Sequence, residues 1–326
     1  MKIRFHLEYA LARVGMAVVP RLPRQAAVLI ARAFGRAAYT LSAHLRKVGH
    51  ANLDIAFGPD KTPAEKKAIL IESFQTFALM LIDLFWFSRH PRERIETYVH
   101  FDESYDAFFA EHSATIAITA HAGNWELLGK AIALKGHPPT SVAAPLKNEK
   151  VDRLFNRMRE DTGQTIVSKR GAVRALIKTL KNDGKVALLL DQNTKPSDGG
   201  IFLDFFGLPV PVSLAVATLA RHTGAHLAFG TCLPEAHGHY WMRNYCPIDI
   251  SDIQDNNRTR LEAAITRRIL ETIEQQIRQT PEKWLWSYKR WKYTAPGRKR
   301  SDYPFYAKEM LDIDKAAAAK TAEAMR

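Results

Sequence analysis

The sequence predicts an α/β fold: a mostly parallel sheet flanked by helices, preceded by an amphipathic helical extension. Three observations carry that prediction. From about residue 112, short apolar runs alternate with segments of helical period. Strand–helix–strand units of this kind pair in parallel and are covered by helices on both faces. Upstream, the first hundred residues show helical patterns. The chain has 326 residues with 46% hydrophobic and 25% charged content, values of a globular protein with a sizeable core.

Residues 8–20 and 26–47 read as helices, separated by Pro20 and Pro23. Residues 63–88 read as a third, with Thr62-Pro63 as cap and first turn. "HPRERIE" reads as a connection. Then follow a buried strand ("ATIAITA"), a helix (126–134), a strand ("TSVAA") and a helix ("EKVDRLFNRMREDTG") that stops at Gly163. "QTIVS" is a strand, "GAVRALIKTLKNDG" a helix and "KVALLLD" a strand. "SLAVATLARHTG" is a helix, two strands flank "EAHGHYW", and a long helix covers 257–279. The organisation is thus 1–100 helical, 101–300 α/β, and a tail at 301–326.

The net charge of +13 is not spread evenly. Residues 1–50 hold nine Lys/Arg and one acid, and residues 281–300 hold seven and one. The remainder is close to neutral, so the basicity belongs to two flanks, which suit acidic partners such as anionic lipid. Arginines at 13, 21, 24, 32 and 36 alternate with apolar residues, a pattern that lies in a membrane interface or packs as an ordinary surface helix. "FALMLIDLFWF" (77–87) fits a buried helix or membrane contact equally. No run is long and apolar enough for an ordinary transmembrane helix, and the N-terminus does not read as a cleavable signal. Cys232 and Cys246 read as core thiols.

Chemistry concentrates in "IAITAHAGNWELLGKAI". His121 ends a strand, at the sheet edge where reactive groups collect in open parallel sheets. Gly123 permits a tight turn, Asn124 is a favoured N-cap, and Glu126 falls in the first helical turn. A strand-to-helix turn folds Glu126 back towards His121. A carboxylate beside an imidazole fixes its tautomer and stabilises the imidazolium, as deprotonation of an attacking hydroxyl requires. The alternative is a solvent-facing histidine and a helix-start glutamate that do not meet. The sequence has no G-x-S-x-G elbow, P-loop, H-E-x-x-H or G-x-G-x-x-G motif. His237 and His239 read as a turn rather than a metal site.

"HAGNWELLG" resembles the His-x4-Glu signature of the lipid A late acyltransferases, the HtrB/LpxL/LpxM family within the glycerolipid acyltransferase superfamily. Further segments agree. "SKRGAVRALIKTLKNDGKVALLLDQN" resembles the block in which an arginine precedes a helix and an aspartate closes the next strand, here Arg170 and Asp191. "FLDFFGLPVPVSLAVATLAR" resembles the Phe-Phe-Gly segment, and "PEKWLWSYKRWK" the C-terminal signature. The family's hydrophobic N-terminal anchor is interrupted here by arginines.

The resemblance implies a glycerolipid acyltransferase-like fold and acyl transfer from an acyl carrier protein thioester to a hydroxyl of a lipid A precursor. It places the chain on the cytoplasmic face of the bacterial inner membrane, as a peripheral or monotopic protein. His121 would be the general base and Glu126 its orienting partner, with neither cofactor nor metal. Backbone N–H groups near Gly123 and Asn124 would hold the oxyanion. Arg170 would help there, bind a phosphate or pair with Asp191, and Asp191 and Asn193 would support the loop. Trp284, Trp286, Lys289, Arg290, Trp291 and Lys292 read as a membrane or carrier contact, with tryptophans packed in the core as the alternative. Other acceptors, of phosphatidylinositol mannoside or lysophospholipid type, and a non-catalytic lipid-binding module remain open. A nucleic-acid partner is not expected, since no recognition motif accompanies the charge.

Overall fold

The prolines set the first boundaries of the computed structural model, which describes residues 2–169 and 171–325. Helix α1 (Lys2–Val18) stops before Pro20, and α2 (Arg24–Leu41) starts directly after Pro23. The helix expected over 26–47 is divided at Ser42, where α3 (Ala43–Phe57) begins. Helix α4 (Pro63–Trp86) opens with a capping box in which Thr62 and Glu65 satisfy each other's backbone N–H groups. The expected connection at "HPRERIE" is helix α5 (Pro91–Tyr98).

The α/β part runs β1 (Val99–Phe101), α6 (Ser104–Ala110), β2 (Thr115–Thr119), α7 (Trp125–Leu134), β3 (Pro139–Ala143), α8 (Glu149–Glu160) and β4 (Thr165–Ser168). It continues with α9 (Ala172–Lys181), β5 (Lys185–Leu189), β6 (Gly200–Phe205), β7 (Leu208–Ser213), α10 (Ala215–Thr223), β8 (His226–Pro234), β9 (Tyr240–Pro247) and α11 (Arg258–Gln279). Seven strands form one sheet in the order β1-β9-β8-β2-β5-β3-β4. The run from β8 to β4 is parallel, whereas β9 returns antiparallel to β8 after a short turn. The Phe-Phe-Gly segment adds a hairpin that the apolar pattern does not announce, β6–β7. Its two-residue loop, Phe206-Gly207, holds both residues at positive φ, as such tight turns demand. In the tail, α12 (Asp312–Ala324) packs Ala318 near Tyr293 and Met310.

Period-two alternation assigns the two faces of the sheet. Ile116 and Ile118 of β2 and Val186 of β5 face the larger core, shared with α9, α10 and α11. On the opposite face the register aligns Ala228, Ala117, Ala187 and Ser141 across four neighbouring strands, β8, β2, β5 and β3. Four small side chains in a row leave a trench under α7.

The N-terminal helices are part of the same body. At the α2–α4 crossing, a Cβ on Gly35 would lie 2.4 Å from Gln75 Cα, so only glycine permits the approach. The expectation that no helix is long and apolar enough to cross a membrane does not hold for α4, which is so by length and composition. Its Leu70, Phe74, Leu79 and Met80 are nevertheless buried in the protein. Its Asp83 accepts a two-pronged contact from buried Arg24 on α2 (2.5 and 3.0 Å) and a hydrogen bond from the Tyr240 hydroxyl (2.7 Å). By contrast, Ile3, Leu7, Leu11, Val14 and Val18 form an exposed stripe along α1. The expected core thiols divide: Cys232 is buried and Cys246 exposed.

Asp83→Ala would strand the Arg24 guanidinium without a counter-charge. Urea unfolding is expected to show a loss of about 3–5 kcal/mol, against about 1 kcal/mol for Tyr240→Phe.

Candidate active site

Strand register decides which carboxylate meets His121. Strands β2 and β5 are parallel neighbours with Thr119 opposite Leu189. His121 and Asp191 each lie two residues further on, so they emerge side by side at the carboxyl edge of the sheet. The imidazole Nδ1 lies 2.7 Å from Asp191 Oδ1, and the His121 backbone N–H donates to Oδ2 (2.8 Å). The Trp284 indole N–H donates to the same Oδ2 (2.8 Å). Burial pushes the Asp191 carboxyl up, but the His121 charge, its two hydrogen bonds and the Trp284 bond outweigh this, leaving it below the usual carboxylate value. An ionised Asp191 only accepts, so Nδ1 carries a proton, and in the neutral form of the ring Nε2 presents a lone pair. The Gln192 side-chain amide lies 3.1 Å from that Nε2 and donates to it. The Trp125 ring stands edge-on to the imidazole, centroids 4.7 Å apart.

Glu126, the partner expected for His121, is engaged elsewhere. Helix α7 begins at Trp125, so the first helical side chain meets the imidazole and the next is turned towards α8. There Arg159 grips both Glu126 oxygens, Nε–Oε2 at 2.8 Å and Nη2–Oε1 at 2.6 Å. Both side chains are largely buried, and the guanidinium–carboxylate fork explains why the glutamate turns this way.

The expected oxyanion donors are also committed. The Gly123 N–H donates to Lys283 O (2.9 Å) and the Asn124 N–H to Cys232 O (2.8 Å). Gly123 has φ +62°, and a Cβ there would fall 2.2 Å from Cys232 O, so this position requires glycine. The Asn124 side chain caps α7 through Leu127 N–H and reaches the Tyr240 hydroxyl. Asn193 ties the loop to the C-terminal segment: its N–H donates to the Tyr288 hydroxyl, its amide to Lys289 O, and its oxygen accepts from Arg290. Arg170 lies outside the described residues.

The C-terminal signature is not a membrane-facing patch. Trp284, Trp286, Trp291 and Arg290 are at most 1% exposed. Each indole N–H finds an internal acceptor: Asp191, Pro281 O, and Phe205 O with Leu208 O. A buried aromatic needs such a partner, and the segment's wide turns supply them. Lys289 and Lys292 remain half-buried, leaning over Tyr306 and Tyr293.

His121 and Glu126 both line a mainly apolar slot of about 220 Å³ between α7 and the trench of small residues. It passes Ala117, Ala187 and Ala228 and reaches Tyr105, Phe108 and Lys185 at the far end of the strands. At roughly 3.3 Å per residue, the path along β5 from Leu189 to Lys185 is about 13 Å. The Lys185 ammonium closes that end, bonded to Glu111 O, Ser113 O and the Thr115 hydroxyl. Among the described residues no group of three or more His, Cys, Asp or Glu is placed to hold a metal ion.

Sequence reasoning gave Asp191 a supporting place and passed over Gln192 and Arg159. The signal for Asp191 was present, since both strands end in a polar residue after a buried run, but it needs the strand order to be read.

A model of the family described as bacterial lipid A biosynthesis acyltransferase matches residues 2–293. A phosphatidylinositol mannoside acyltransferase of Mycobacterium tuberculosis is 28% identical over 185 residues, which is 55% of this chain and 55% of that protein. The chain thus spans little more than half the length of that relative. A lipid A biosynthesis palmitoleoyltransferase of Escherichia coli is 23% identical over 298 residues, 90% of this chain and 94% of that protein. A lipid A biosynthesis acyltransferase of Haemophilus influenzae is 22% identical over 77% of this chain and 78% of its own length.

The Asp191 arrangement makes a prediction for acid stability. A carboxyl held low when folded contributes stability above its unfolded value, near 3.9, and loses it as pH falls through its folded value. Trp284→Phe deletes one donor, so its acid unfolding, followed by circular dichroism, is expected to begin at higher pH than in the wild type. Near neutrality it should also cost about 1.5–3 kcal/mol, beyond the loss of packing.

Proposed function

The chain belongs to the bacterial lipid A biosynthesis acyltransferase family, and we propose that it transfers a fatty acyl group from an acyl carrier protein thioester to a hydroxyl of a lipid A precursor. The observation that carries this reading is the His121–Asp191 pair at the mouth of an apolar slot. The alkyl chain lies in the trench with its thioester carbon near His121. The acceptor hydroxyl displaces the Gln192 amide at Nε2 and gives up its proton there. Its oxygen bonds to the thioester carbon, and the carbonyl electrons move onto oxygen. Collapse of this tetrahedral species breaks the C–S bond, and the departing sulfur takes the proton from the imidazolium. Asp191 stabilises that imidazolium and holds the tautomer. With the Gly123 and Asn124 N–H groups occupied, the oxyanion falls to the first-turn N–H groups of Trp125 and Glu126, which a helix leaves free at its positive end. Glu126 acts by fixing Arg159 at the slot mouth.

The wide coverage of the lipid A relatives favours a lipid A precursor as acceptor. The phosphatidylinositol mannoside relatives support the same chemistry on a different headgroup, and the trench suits either. The exposed stripe on α1 and the basic first fifty residues support a peripheral place on the cytoplasmic face of the inner membrane.

His121→Ala is expected to lose roughly 10²–10⁴-fold in acyl transfer while remaining folded, measured by product mass with carrier-bound donors and lipid acceptors. Retained transfer removes His121 from the chemistry. Ala187→Leu places a branched side chain across the trench. In a mixed-length donor competition it should shift the products towards shorter acyl chains, with little change in stability.

A further inference from the structure

A second concave site lies between α1 and α8, on the other side of α8 from Arg159. It is a groove of about 270 Å³ lined by Tyr9, Arg13, Lys150, Arg153, Leu154 and Arg157. Four of its six lining residues are cations and none is a carboxylate. Among the described residues Arg13, Lys150 and Arg157 form no ion pair, and Arg153 has only a loose, exposed contact with Glu149 at 3.8 Å. Several arginines elsewhere are matched: Arg221, Arg258 and Arg268 each meet a carboxylate within 3.0 Å. Cations converging on one cavity repel each other unless an anion enters it.

The groove is also built. Asn148 is buried, caps α8 through Lys150 N–H, and donates its side-chain amide to Phe5 O (2.8 Å) and Glu8 Oε2 (3.1 Å) on α1. That clamp fixes the spacing of the two walls. At about 100° per residue, Tyr9 and Arg13 lie well round α1 from its exposed apolar stripe, about one helix diameter above it. With the stripe in the acyl region of a bilayer, the groove stands at the level of lipid headgroups.

We propose that the α1–α8 groove binds a phosphate ester on the headgroup of the acceptor lipid, holding it while α8 presents Arg159 to the slot on its opposite face. Guanidinium groups from two helices suit the several oxygens of one phosphate. The proposal rests on the reading of the chain as a lipid acyltransferase and assigns the recognition of its acceptor.

The test uses the double variant R153Q/R157Q, both positions being exposed, in the full-length protein. In calorimetry, short-chain dihexanoyl phosphatidic acid below its micellar concentration is expected to bind the wild type and to bind the variant about tenfold more weakly. Dihexanoylglycerol, which lacks the phosphate, should not distinguish them. Equal binding of the phosphatidic acid to both proteins, or no binding to either, overturns the proposal, and this arm needs no acyl transfer. Inorganic phosphate binding as tightly as the lipid would mean a free-phosphate site and also overturn it. In the kinetic arm, the variant's KM should rise for a phosphorylated acceptor and stay level for its dephosphorylated form and for the carrier-bound donor. An equal rise for both acceptors, or a rise for the donor, overturns the assignment. Absence of transfer by the wild type, with selective phosphatidic acid binding intact, counts against the enzymatic reading and leaves the groove supported.

Discussion

The arrangement of the site depends on one buried carboxylate. Asp191 gathers a ring N–H, a backbone N–H and an indole N–H from two distant parts of the chain. A carboxylate taken out of water is tolerable only when donors surround it. The contacts that make Asp191 stable therefore also orient His121 and anchor the C-terminal segment. Substituting any one donor disturbs the other two, because all share two oxygen atoms.

The C-terminal signature works as an internal clamp around that carboxylate. The Trp284 carbonyl accepts from the Ser73 hydroxyl of α4, and the Leu285 N–H donates to the His121 carbonyl. Asn52 of α3 donates to the carbonyls of Trp286 and Tyr288 at 2.7 Å each. Arg290 is fully buried over the Phe205 ring and bonds Asn193, while its Nε and Nη2 have no hydrogen-bond partner among the described residues. Burial pushes this guanidinium down to about 10, against the opposing pull of Asp191. The helical N-terminal region and the last strand loops are thus tied into the same polar centre.

The alternation of strands and helices was legible because it comes from local periodicity, and the segments from 112 to 189 fall close to their expected bounds. The hairpin at 200–213 was not legible: prolines and a non-glycine residue at positive φ hide its strand character. His121 could be found from its place at a strand end. Its partner could not, because the pairing of residues 121 and 191 is a fact of strand order, 70 positions apart in sequence. The Trp/Lys/Arg segment misled for a related reason. Interleaved aromatic and basic residues describe an interface between apolar and polar surroundings, and a buried polar centre supplies one as well as a membrane does.

The row of small residues under α7 also bears on how the protein responds to what it holds. Strand pairing fixes Ala228, Ala117, Ala187 and Ser141 opposite one another, so the hollow exists before any guest arrives. Its walls lack the close contacts that a filled interior would give them. A hydrocarbon tail supplies those contacts only to the folded chain, and so favours folded over unfolded molecules by mass action. On the proposed acyl-transfer reading, loading with acyl donor hardens the protein against heat, and release of product softens it again.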